Sequence, residues 1–113
     1  MKTAILTTAF ELTASFASAH TKPATMTPVD GSTGAAPATI EIHFDDPMRV
    51  TAFTLTGPNG DIAVTRAVGM EPVTDFSVIP NDALSSAAYI VDWRGMSADG
   101  HPMQGSFGFT VAD

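Results

Sequence analysis

No cysteine occurs in the 113 residues. That excludes disulfides, a thiolate nucleophile and every cysteine-based zinc or Cu(I) site. It also excludes a blue-copper centre, which needs a cysteine thiolate. Cations are scarce: five Lys and Arg face 12 Asp and Glu, a formal net charge of −7. Such a surface argues against nucleic acid or anionic lipid as a partner. Charged residues make up only 15% of the chain, while nine Gly and eight Pro are present. That balance suits short strands joined by turns better than long charged helices. Histidine is limited to three positions, His20, His43 and His101.

The first 19 residues have the layout of a secretory signal peptide. A short basic start, Met1-Lys2, precedes an apolar stretch from Ala4 to Phe16 and the small residues Ala17-Ser18-Ala19. Glu11 interrupts the apolar stretch. Cleavage after Ala19 leaves residues 20–113, enough for one domain and one core. Lys2 and Glu11 leave together, so the side-chain charge is unchanged. Beyond the leader no run approaches the roughly 20 apolar residues of a membrane helix. The mature chain is therefore expected to be exported and not inserted in a membrane. Without disulfides, its core alone, or core plus metal, must hold it.

Hydrophobic alternation then predicts strands. Residues 20–38 are rich in Pro, Thr, Gly and Ala and read as extended, with a turn at Pro28-Val29-Asp30-Gly31. Ile40, Ile42 and Phe44 alternate with Glu41, His43 and Asp45. That is a half-buried strand, which Asp46-Pro47 is expected to end. Phe53 and Leu55, the turn Gly57-Pro58-Asn59-Gly60, and Ile62 and Val64 read as a hairpin over 52–66. Further strands centre on Phe76 and Val78, on Tyr89, Val91 and Trp93, and on Phe107, Phe109 and Val111. Only Asp82 to Ala88 has helical composition, and it is short. The fold expected is all-β, a sandwich or Greek-key barrel.

The chemistry-bearing residues are few. If the leader is cut after Ala19, His20 offers both an α-amine and an imidazole. Asp99-Gly100-His101 adds a carboxylate and a second imidazole. Asp99 and His101 are two apart, and Gly100 and Pro102 predict a tight loop that presents both. This nitrogen and oxygen donor set favours Cu(II). An isolated Asp-Gly-His is more often a plain turn.

The surrounding residues favour the metal. From Tyr89 to Val111 the chain closely resembles the C-terminal signature of the CopC family of periplasmic copper-resistance proteins, through Trp93, Arg94, Ser97, Asp99-Gly100-His101-Pro102, Gly105, Phe107 and Phe109. Ala36 to Phe44 resembles the family's first long strand, and His20 followed by Pro28 and Gly31 fits its mature start. The resemblance spans residues 20–113 and loosens between about 48 and 85. Ala87-Ala88 depart from the family's usual glycine turn.

The resemblance implies a cupredoxin-like Greek-key β-barrel (Ig-like) that binds Cu(II) in the periplasm and sequesters it or hands it on. The recipient would be a membrane copper transporter or another periplasmic copper protein. The implied ligands are His20, Asp99 and His101, with Asp46 nearest the acidic position that follows the first strand. No catalysis is expected. Two other classes fit the bare residues: a histidine-brace copper monooxygenase and a metal-free β-sandwich interaction module. A Cu(I) site of the kind some family members carry needs converging thioethers, but Met26, Met48, Met70, Met96 and Met103 are scattered. Met96 and Met103 are expected to pack, Tyr89 and Trp93 to fill the core, His43 to be a solvated or locally bonded surface histidine, and Arg94 to bond or orient Asp99 or another acid.

Overall fold

The structure, a computed structural model, describes residues 23–112. Those residues form eight strands and no helix. They are β1 (Pro23–Thr27), β2 (Ser32–Gly34), β3 (Ile40–Gly57), β4 (Gly60–Ile62), β5 (Val64–Arg66), β6 (Val73–Pro80), β7 (Ala87–Ser97) and β8 (Pro102–Val111). The sheet runs in the order β2-β8-β7-β3-β6-β5, with β1 and β4 also on β3. It curls as a half-barrel without pairing β2 to β5. The expected all-β architecture is therefore what the chain adopts.

The 18-residue β3 organises everything. Its first half pairs with β1 and β6, its second half with β7 and β4. Met48 faces both Val73 of β6 and Ser97 of β7, so β6 and β7 lie on opposite edges there. By the same two-edge count, β1 and β7 share one edge of β3, end to end. One strand thus belongs to both layers of the half-barrel.

Two expectations about the strands need correction. Asp46-Pro47 does not end the strand; β3 runs through it. On the β1 side pairing stops at Phe44 and resumes with β7 at Met48. On the β6 side it skips from His43 to Met48. Pro47 thus sits in a stretch where no ladder bond requires its missing N–H, the position in which a strand tolerates proline. The 52–66 hairpin is also shorter than expected. It closes at the Gly57–Gly60 pair and ends with β4, while Val64 to Arg66 crosses to pair with β6.

The inward faces of the two layers meet in a single core. Ile40, Ile42, Phe44, Phe76 and Val78 come from the first, and Leu55, Val91, Trp93, Phe107 and Phe109 from the second. Phe44 and Trp93 pack edge to face at 5.2 Å, and Phe53 lies 5.7 Å from Phe76. Such pairs favour this tilted geometry over face-to-face stacking. Tyr89 and Trp93 are both buried, as expected. Met103 is half-buried against the core, whereas Met96 is exposed, contrary to the packing role expected for it. The β3 ladder to β7 shifts register between Val50 and Ala52, a bulge. There Arg66 Nη2 donates to the Val50 carbonyl at 2.6 Å, while its guanidinium lies over Phe76 at 4.8 Å. The same side chain donates to the carbonyls of Val68 and Gly69 and so ties down the loop after β5.

Candidate metal centre

The β7–β8 hairpin ends in a five-residue turn, Ser97 to His101. Two backbone bonds close it: Ser97 N–H donates to the His101 carbonyl, and Gly100 N–H to the Ser97 carbonyl, both at 2.9 Å. Gly100 takes a φ of +86°, in the left-handed region where a side chain is strained. That glycine is why Asp99 and His101 reach the same side of so short a turn.

Their side chains meet. His101 Nδ1 lies 3.0 Å from Asp99 Oδ2, with both side chains about two-thirds exposed. The Ser97 hydroxyl donates to Asp99 Oδ1 and accepts from the His101 backbone N–H at 3.1 Å. The Ser97 bond, opposed by desolvation and reinforced by the nearby His101, holds the Asp99 carboxyl below the usual carboxylate range. A carboxylate kept ionised beside an imidazole offers a cation one hard oxygen donor and one borderline nitrogen donor.

Asp99 and His101 are thus brought together. Asp46 is exposed on β3 between Phe44 and Met48, and Met48 pairs with Ser97, so Asp46 lies two residues from the foot of the turn. It does not join Asp99 and His101 in a three-residue ligand cluster among the described residues. His20 lies outside the described residues. His43 is elsewhere, on the outer face of β3, its Nδ1 2.6 Å from Asp75 Oδ1 of β6. That matches the locally bonded surface histidine expected of it. Arg94 faces outward, but its side chain makes no bond to Asp99 among the described residues; only its carbonyl is engaged, by Thr51. The residue that sequence reasoning missed is Ser97. Its spacing, two before Asp99 and four before His101, was the available signal.

An exposed His-Asp turn thus stands on the rim of an all-β half-barrel. The match to the CopC domain model over residues 24–112 shows that the chain belongs to the CopC family. It is 40% identical to Copper resistance protein C of Pseudomonas syringae pv. tomato, over 88% of this chain and 86% of that protein. It is 33% identical to Copper resistance protein C of Escherichia coli, over 96% and 94%. Among solved structures it is similar to PcoC, a methionine-rich copper resistance protein from Escherichia coli, with a TM-score of 0.68 and 32% identity over 83% of this chain and all of that one. The fold is also that of CopC from Methylosinus trichosporium OB3b, with a TM-score of 0.69 at 19% identity over 81% of this chain and 93% of that one.

Proposed function

We propose that this chain is a copper-resistance protein of the periplasm that binds one Cu(II), without catalytic turnover, and sequesters it or passes it on. Its ligands are the amine and imidazole of a mature N-terminal His20, the imidazole of His101 and the carboxylate of Asp99. The recipient is a membrane copper transporter or another copper protein of the same compartment. The observation that carries this reading is the Ser97–His101 turn, which holds an ionised carboxylate 3.0 Å from an imidazole at the surface. The relatives named for copper resistance support the cargo.

Strand topology supports the N-terminal ligand. β1 starts at Pro23 opposite Phe44, and β7 ends at Ser97 opposite Met48, on the same edge of β3. The gap along that edge is four residues, roughly 13 Å at about 3.3 Å per residue. His20 stands three positions before Pro23, a reach of about 10 Å for an extended chain. The imidazole then covers the remainder. Nitrogen and oxygen donors in a tetragonal array suit Cu(II), and no thiolate is present. Amines and imidazoles bind metal only when deprotonated, so affinity falls as pH drops.

Competitive Cu(II) titration of His101→Ala and His43→Ala tests the assignment. The first removes a ligand and loses more than the roughly 10–100-fold that an outer partner costs. The second removes an imidazole held by Asp75 and leaves affinity unchanged. Equal losses would place the site elsewhere.

A further inference from the structure

We propose that Ser97 is a positioning residue for copper: its hydroxyl sets the Asp99 carboxylate and His101 in the arrangement that meets Cu(II), a role that rests on the assignment of Asp99 and His101 as ligands. The turn does not need that hydroxyl in order to close. Its two 2.9 Å bonds are backbone to backbone, and the β7–β8 ladder behind it is continuous from Met96-Pro102 to Ala87-Val111. The hydroxyl serves something else. It donates its one proton to Asp99 Oδ1 and accepts the His101 N–H at 3.1 Å. A hydroxyl has one donor and two acceptor sites, so a single oxygen ties both residues to one anchor. That anchor is itself half-buried and fixed in register opposite Met48, which is fully buried in the core.

The two side chains it governs are exposed, and neither is held by packing. Without the anchor the carboxylate rotates freely in water, and metal binding then has to freeze it. With Oδ1 taken by Ser97, Oδ2 is the oxygen that turns to His101 Nδ1 at 3.0 Å. His101 Nε2 is left without a protein partner among the described residues. Oδ2 and Nδ1, 3.0 Å apart, would be the oxygen and the nitrogen that one copper ion takes together.

The test uses chains beginning at His20: wild type, Ser97→Ala, Ser97→Thr and His101→Ala. Each is checked by far-UV circular dichroism and urea unfolding, titrated with Cu(II) against a chelator, and examined by electron paramagnetic resonance. Ser97→Ala is expected to keep its unfolding midpoint, lose about 10–100-fold in Cu(II) affinity and change the copper hyperfine pattern, while Ser97→Thr stays within about threefold with the wild-type spectrum. The proposal is overturned if folded Ser97→Ala binds as wild type, if it fails to fold, or if Ser97→Thr is as weak as the alanine variant. His101→Ala separates the two levels. If it alone loses affinity, the ligand assignment stands and the Ser97 role falls. If it too binds as wild type, both fall.

Discussion

Replacing Gly105 by alanine should overpack the core at one identifiable contact. Gly105 pairs with Trp93 across the β7–β8 ladder, and the indole lies against its Cα. An added Cβ would stand 2.6 Å from Trp93 Nε1, 2.9 Å from Cε2 and 3.0 Å from Cζ2. Ordinary contact begins at 3.4 Å, so 0.8 Å must be found at the closest atom. The indole is a poor donor of that space: Trp93 is only 2% exposed and sits 5.2 Å edge-on to Phe44. Overpacking of this kind costs about 1–3 kcal/mol. Glycine in a strand concedes roughly 0.5–1 kcal/mol of backbone entropy, which alanine would recover. Because the indole cannot retreat, the upper end of that range applies, and the net expectation is a loss of about 2 kcal/mol, or a melting point lower by roughly 8–16 °C for a domain of this size. Urea unfolding followed by the fluorescence of Trp93, the only tryptophan, measures it directly. Gly34→Ala is the control, since its Cβ meets nothing within 4 Å and its φ is not positive; it should change stability by less than about 0.5 kcal/mol. A Gly105→Ala chain as stable as wild type would refute the packing argument.

Two further outcomes follow from the same geometry. Arg66→Met keeps the stem over Phe76 but leaves the Val50, Val68 and Gly69 carbonyls without their charged donor; it should cost about 1.5–3 kcal/mol in urea unfolding. Gly100→Ala forces a side chain into φ +86° at the head of the Ser97–His101 turn and should cost about 1–2 kcal/mol, with weaker Cu(II) binding in the same titration that tests His101.

Strands were legible where burial alternates cleanly. Ile40 to Phe44 and Tyr89 to Trp93 face the core at every second residue, and Pro58-Asn59 does turn the chain between Gly57 and Gly60. Pro47 misled, because a proline is read as a breaker when the partner strands are unknown; only the handover from β1 and β6 to β7 makes it harmless. Val64 was assigned to the wrong partner for a similar reason: alternation gives a face but not the neighbour. Met96 shares the outer face of β7 with Arg94 and Asp92, where an apolar side chain gains nothing from the core. At the site, Asp99 and His101 were readable as a pair because Gly100 between them signals a turn. Ser97 was not, since a serine advertises no chemistry until its hydroxyl is seen to bridge two functional residues.

The copper assignment depends most on the N-terminal nitrogen. Only cleavage after Ala19 converts the nitrogen of His20 from an amide, a poor donor, into an amine that can chelate. Three purified forms, beginning at Met1, at Ala19 and at His20, should be titrated with Cu(II) at one pH and examined by electron paramagnetic resonance. The form beginning at His20 is expected to bind one copper tightly, with an axial signal and no intense blue absorption. The two longer forms should fold alike and lose most of that affinity. Equal binding by all three would contradict the N-terminal histidine site.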